Sequence, residues 1–356
     1  MKTIYKSVLS ALFIGATLIS CEKENIETFE NGIFIVNEGA WGNSNASISF
    51  INEDNEVKEN IFEEKNGYSI GDVLQSMTIY DDKAYLVVNA SNKIEVVNSS
   101  SFETQGVIAD LESPRYLVEK NDQLYISQWG KNGSVEVVDA NTLKSIKTIE
   151  TGIGSEGLIV VDNEIWVANS GGYGSNNNIS IINAGSNEVT ETITLDADNP
   201  RHFVKDSEGD IWVLASGKII FEYDSEGKYV GIKEQTPSKL IEIDASNKEI
   251  KNTITLSEYA HYGHLKTNST KDKLYYGGGY GIDGIFEMSI SATEAPSAPI
   301  ISGYFYGFNV NKDNNVFGTL APDFSSNGTV KEFDSDGNEI ENYTVGVGPN
   351  SVVFNN

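Results

Sequence analysis

The chain of 356 residues carries 52 Asp and Glu against 25 Lys and Arg, a formal charge of −27 at pH 7. A polyanion of this strength repels a phosphate backbone, which excludes nucleic acid as a partner, and an acidic coat keeps a surface protein soluble. The single cysteine excludes an internal disulfide or a thiolate metal centre, and no long amphipathic helical stretch accompanies the many Gly, Tyr, Val, Ile, Thr and Asn residues.

Lys2 and Lys6 precede an apolar run from Val8 to Ile19, the pattern of an export signal over residues 1–20. The run is shorter than the roughly 20 apolar residues a membrane helix needs. It ends in Leu18-Ile19-Ser20-Cys21, a lipobox. Cys21 is therefore predicted to be the lipidated first residue of the mature chain, held to a membrane by acyl chains alone. Residues 21–31, acidic and aperiodic, read as a flexible tether compatible with an outer-leaflet destination. The expected location is the outer membrane, lipid-anchored, at the cell surface.

From residue 32 the chain repeats. Gly32-Ile-Phe-Ile-Val36, Lys83-Ala-Tyr-Leu-Val87, Gln123-Leu-Tyr-Ile-Ser127, Glu164-Ile-Trp-Val-Ala168, Asp210-Ile-Trp-Val-Leu214, Lys273-Leu-Tyr-Tyr-Gly277 and Asn315-Val-Phe-Gly-Thr319 share a polar-aliphatic-aromatic-aliphatic start, about 40 to 63 residues apart. That spacing matches the blades of a propeller, with one long insertion. A Gly/Asn/Ser-rich loop and a second apolar strand follow, as in Ser134-Val-Glu-Val-Val-Asp139. An alternating strand comes next, such as Glu191-Thr-Ile-Thr-Leu195, and then a Pro-x-x-aliphatic element such as Pro200-Arg-His-Phe-Val204. Strands apolar on both faces lie between neighbouring blades, and the alternating one is the outer edge. Four strands per repeat predict an all-β, seven-bladed propeller of antiparallel blades over residues 32–356. The chain starts on the second strand of a blade and ends on the inner strand Pro349-Asn-Ser-Val-Val-Phe354, so the two termini complete one blade and close the ring.

The run Val135 to Thr142 followed by Thr148 to Gly152 resembles the YncE-like propellers. The opening Asn37-Glu-Gly-Ala-Trp-Gly-Asn-Ser-Asn-Ala-Ser47, with the lipobox, is similar to the BtuG-type surface lipoproteins. The second resemblance implies capture of a corrinoid such as cobalamin, or another bulky nutrient chelate, and delivery to a TonB-dependent outer-membrane transporter. It implies a monomeric domain with no cofactor of its own.

The inner strands of a propeller run the same way, so the residues opening them ring one mouth of the axis. Aligned repeats place Gln75, Arg115, Glu156, Arg201, Gly263, Tyr306 and Asn350 at one level, and Ser76, Tyr116, Gly157, His202, His264, Gly307 and Ser351 at the next. Such unlike residues at equivalent positions point to an asymmetric small-molecule ligand, while Arg115 and Arg201 pairing with Glu156 is an equally open reading. Loops after the second strands add Trp41, Trp129, Tyr173, Tyr280 and Phe324 to the rim, aromatic surface suited to recognition. His202, His261 and His264 fall on consecutive inner-strand approaches, yet no carboxylate motif joins them and no metal site is expected.

The sequence thus reads as a binding module without covalent chemistry. The alternatives are a lactonase-like or hydrolase-like propeller with Glu156 as base near His202 or His264, and a protein-interaction scaffold. No Gly-x-Ser-x-Gly elbow is present.

Overall fold

The computed structural model describes residues 28–280 and 282–355, Tyr280 by its backbone only. The export signal and Cys21 lie outside the described residues. Among the described residues no helix is long and apolar enough to cross a membrane.

The chain forms seven radial sheets. The closing blade takes Gly32–Asn37, Ser47–Ile51 and Val57–Lys58 from the N-terminal end and Pro349–Asn355 as its inner strand. Ile33 pairs with Phe354 and Ile35 with Val352, so hydrogen bonds between the chain ends seal the ring, as the phase of the repeat requires. The next three blades run Leu74–Ile108, Pro114–Glu150 and Ser155–Thr194, each a four-strand meander from axis to rim. The fifth, Pro200–Ser257, carries an inserted hairpin, Ile219–Tyr223 with Tyr229–Gln235, between its second and third strands. The seventh runs Gly307–Val347.

Two features depart from the simple repeat. Among the described residues the sixth blade, His261–Ser289, has three strands, and only the isolated bridge of Ile285 with Ile301 stands where a fourth would pair. Pro296 and Pro299 in the following segment lack the N–H a ladder strand must donate. Packing also begins ahead of Gly32: Phe29 is buried against Phe50 and Phe102, its N–H donates to the Ser100 carbonyl, and Asn355 Nδ2 donates to the Phe29 carbonyl. Nearby, a short helix, Ile61–Asn66, buries Ile61 and Phe62 beside the two-residue outer strand of the closing blade.

The core is distributed between blades. Tyr85, Val87, Ile94 and Val96 of the second blade pack on Leu117, Leu124 and Ile126 of the third, and Val135 and Val137 of the third pack on Ile165 and Val167 of the fourth. Outer strands such as Ser145–Glu150 are mostly exposed. Because each inner strand is held on both flanks by such clusters, the side chains at its start are fixed around the axis.

Candidate functional site at the axial mouth

An axial cavity of about 880 Å³ opens where the inner strands begin, near the upper end of the range for small-molecule sites. Its upper wall holds Glu38, Gln75, Arg115, Tyr116, Arg201, His202, His264, Tyr306 and Asn350, and its lower wall holds Met77, Ile79, Lys266, Phe308, Asn309 and Val353. Close packing of the inner strands explains how so many unlike side chains meet. A Cβ on Gly157 would stand 2.1 Å from the Arg201 carbonyl oxygen, and one on Gly307 2.0 Å from that of Asn350.

Glu156 organises one side of the mouth. It is completely buried. Arg115 grips it with two donors, Nε to Oε2 at 3.1 Å and Nη2 to Oε1 at 2.9 Å, and Trp129 Nε1 donates to Oε2 at 2.5 Å. Arg201 Nη2 reaches Oε1 at 3.4 Å. The Arg115 guanidinium lies 4.2 Å from the Trp129 ring centroid and donates through Nη1 to Gln75 Oε1. Burial pushes the Glu156 carboxyl up, but the charges of Arg115 and Arg201 and the donated hydrogen bonds outweigh it and hold it below the usual range. The pairing foreseen for these arginines is therefore present. With both oxygens taken up by these donors and its affinity for a proton lowered, Glu156 serves as a counter-ion in the wall and is poorly suited to the base role considered above.

Glu38 and Tyr306 face it. Tyr306 Oη donates to Glu38 Oε2 at 2.5 Å. Burial raises the Glu38 carboxyl above its ordinary value, more than the Tyr306 hydrogen bond and the Arg115 charge lower it. His202 and His264 stack with centroids 5.4 Å apart, Tyr116 meets His202 edge-on, and His264 Nε2 lies 3.0 Å from the Tyr306 carbonyl oxygen. Burial, reinforced by neighbouring cations, pushes His264 down to about 3 and His202 well below its usual value. Both imidazoles are neutral at pH 7. Two polar atoms of the mouth, Arg201 Nε and Asn350 Oδ1, are buried without a protein partner, an orphan donor and an orphan acceptor that a polar ligand would satisfy.

Gln75, Arg115, Tyr116, Glu156, Arg201, His202, His264, Tyr306 and Asn350 thus come together, with Trp129 capping Glu156. Trp41 and Tyr173 do not join them: they are 73% and 95% exposed on the rim, Tyr173 edge-on to Trp129 at 5.2 Å. The Tyr280 side chain lies outside the described residues. His261 also stands apart, its Nδ1 2.8 Å from the Ser216 carbonyl oxygen. Sequence reasoning missed Glu38 and Lys266. Glu38 directly follows the second strand of the closing blade, and Lys266 stands two residues beyond His264, hence on the same face of its strand.

A second cluster lies at the far end of the fifth blade. Asp206, Asp210 and Glu242 bring carboxylate oxygens within 4.8 Å of one another, a group able to hold a metal ion. Asp206 accepts from the N–H of Glu208 and Asp210 and from Trp212 Nε1, each at 2.9 Å, while Lys251 Nζ pairs with Asp210 and reaches Glu242 Oε1 at 3.0 Å.

Fold and cavity define a seven-bladed β-propeller with a polar axial site. The chain belongs to the family described as a domain of unknown function, DUF5074, whose model matches residues 31–345. No curated protein matches the sequence. Solved propellers superpose over nearly the whole chain. A quinoprotein alcohol dehydrogenase-like protein of Bacteroides thetaiotaomicron has a TM-score of 0.70 at 14% identity, covering 93% of this chain and 79% of that one. A Bacteroides fragilis protein provisionally assigned as a 6-phosphogluconolactonase has 0.65 at 12%, covering 91% and 98%. The periplasmic gluconolactonase of Pseudomonas aeruginosa has 0.59 at 12%, covering 92% and 99%. Identities this low establish the fold alone. The expectation of a chain without covalent chemistry is nevertheless overturned: the architecture is shared with proteins named as enzymes, and the Asp206, Asp210 and Glu242 carboxylates form a cluster able to serve a metal or catalytic site.

Proposed function

We propose that the axial mouth binds a small, hydroxyl-rich anion of the sugar-acid class and hydrolyses the corresponding lactone. The observation that carries this reading is the charge of the wall. In a chain of net charge −27, the upper wall of the cavity presents the Arg115 and Arg201 guanidiniums, Arg201 with an unpartnered Nε, against the single carboxylate that lines it, Glu38. Glu38 is the base, its affinity for a proton raised by burial. As a water oxygen adds to the lactone carbonyl carbon, Glu38 takes the water proton. Arg201 faces the tetrahedral oxyanion. Collapse restores the carbonyl and breaks its bond to the ring oxygen, which recovers the proton from Glu38. The product is the open hydroxy acid, which releases its carboxyl proton to solvent, and Arg201 retains the carboxylate.

The test is proton release from δ-gluconolactone in a pH-stat at mildly acidic pH, corrected for the spontaneous reaction. Wild type is expected to accelerate it, and Glu38→Gln to lose about 100-fold or more. A wild-type rate equal to the blank removes the catalytic reading. Heat on titrating gluconate tests binding separately.

A second reading has its own support in the rim. Trp41, Tyr173, Tyr259 and Tyr304 are 73%, 95%, 76% and 74% exposed on the loops surrounding the mouth, an aromatic surface wide enough for a flat, bulky ligand. With the lipobox at Cys21, this favours a lipid-anchored surface protein that captures a corrinoid and passes it to a TonB-dependent transporter. Calorimetry with cyanocobalamin decides: heat lost in the Trp41→Ala, Tyr173→Ala double variant supports the reading, and no heat from any corrinoid removes it.

A further inference from the structure

Lys266 is not explained by the chemistry of the mouth. It lies two residues beyond His264 on the inner strand His261–Thr267, and strand periodicity turns both side chains to the axis, where both line the cavity. No hydrogen bond or ion pair engages its ammonium group among the described residues. The walls at its level are Met77, Ile79, Phe308 and Val353, with Asn309, whose Nδ2 is committed to the Val352 carbonyl at 2.8 Å. No carboxylate lines this part of the channel. Burial pushes the amine below its ordinary range, and its charge helps depress both His202 and His264.

An unpaired ammonium in an apolar channel is costly to the fold, and an oxyanion is the partner that offsets the cost. We infer that the channel floor is a second anion subsite built on Lys266, so that the cavity accepts a ligand with an anionic group at each end, such as a phosphorylated sugar acid. This rests on the reading of the mouth for one end only. Arg201 stands one residue before the level shared by His202 and His264, and Lys266 two after it. At about 3.3 Å per residue the two positions are about 10 Å apart along the strands, a span comparable with an extended six-carbon acid phosphorylated at its far end.

Calorimetry on the purified protein with inorganic phosphate, gluconate and 6-phosphogluconate tests the assignment. Wild type is expected to bind 6-phosphogluconate about tenfold or more tighter than gluconate. Lys266→Met is expected to abolish that advantage and leave gluconate unchanged. Phosphate alone should bind wild type and Arg201→Met but not Lys266→Met. Because the substitution removes an uncompensated buried charge, Lys266→Met should also melt higher than wild type in phosphate-free buffer, so lost binding cannot be blamed on misfolding. Phosphate binding that survives Lys266→Met, or none in wild type, overturns the subsite. Gluconate that fails to bind while phosphate still depends on Lys266 overturns the mouth reading and leaves the subsite standing.

Discussion

Glu156→Gln is the substitution whose cost follows most directly from the geometry. The carboxylate is fully buried, accepts two hydrogen bonds from Arg115 and one from Trp129, and balances a guanidinium that is itself nearly buried. A neutral amide keeps the shape but turns one acceptor into a donor aimed at donors and leaves Arg115 uncompensated. Breaking a buried pair in this way costs about 3–5 kcal/mol. The Arg201 contact, at 3.4 Å from a side chain about one-third exposed, adds at most a few tenths because solvent screens it. At roughly 0.7 kcal/mol per degree for a propeller of this length, melting should fall by about 4–7 °C. The double variant Arg115→Met, Glu156→Gln should recover most of the loss, since no buried unpaired charge remains at the pair and Arg201, about one-third exposed, is solvated. The pH dependence has a fixed sign. The folded carboxyl is held below its unfolded value, so its contribution is fully present above about pH 4.5 and is lost as pH falls through the lower folded value. Glu156→Gln should lack that part of the acid limb. Equilibrium urea unfolding of the four proteins in the cycle gives the numbers. A loss under 1 kcal/mol for Glu156→Gln, or strict additivity in the cycle, would refute the claim that one buried charge organises the mouth.

The same geometry sets three further outcomes. Tyr306→Phe removes the hydrogen bond that favours ionised Glu38, so the acid limb of a lactonase pH–rate profile should move to higher pH; an unmoved limb would exclude Glu38 as its origin. His202 and His264 should show flat imidazole proton shifts by NMR between pH 8 and 5. Their folded pKa values are depressed, so the associated stability is complete above an unfolded value near 6.5 and declines as pH falls from there toward about 3 for His264; a midpoint near 6.5 for either ring would contradict the burial argument. Lys251→Met should expose the Asp206, Asp210 and Glu242 carboxylates to cations, so that millimolar manganese raises the melting temperature of the variant by more than that of wild type; equal shifts would show that the ammonium and the metal do not compete.

The ring of blades was legible because burial writes itself into strands packed on both faces. Lys83–Val88 and Glu164–Asn169 sit between two neighbouring sheets, so their interiors, Ala84 to Val88 and Ile165 to Ala168, are apolar, with an aromatic such as Tyr85 or Trp166 filling the gap between blades. Closure was legible from phase, since Pro349–Asn355 supplies the inner strand that Gly32–Asn37 lacks. The missing outer strand of the sixth blade was written in Pro296 and Pro299 but lost within a long insertion. Ring levels at the mouth emerged from alignment because inner strands share one register, which brought Arg115, Arg201, His202 and His264 together. Side-chain direction within loops has no such periodicity, so Trp41 and Tyr173 could not be told from Trp129, and only Trp129 turns inward to a carboxylate. Lys266 was hidden because a lysine on a strand ordinarily faces solvent.

The mouth separates two uses of charge that the sequence alone runs together. Arg115 and Glu156 neutralise each other out of contact with water and set the position of the surrounding groups, Trp129 and Gln75 included. A ligand gains little from a guanidinium whose donors are already spent. Arg201, with one long contact to Glu156 and an orphan Nε, and Lys266, with none, keep their donors for an incoming group. Neutral His202 and His264 lie between these cations without adding to their charge, so under the proposed two-subsite reading an anion would be held at two defined points rather than along the whole channel. Specificity for the distance between two negative groups, more than for total charge, is what such an arrangement selects.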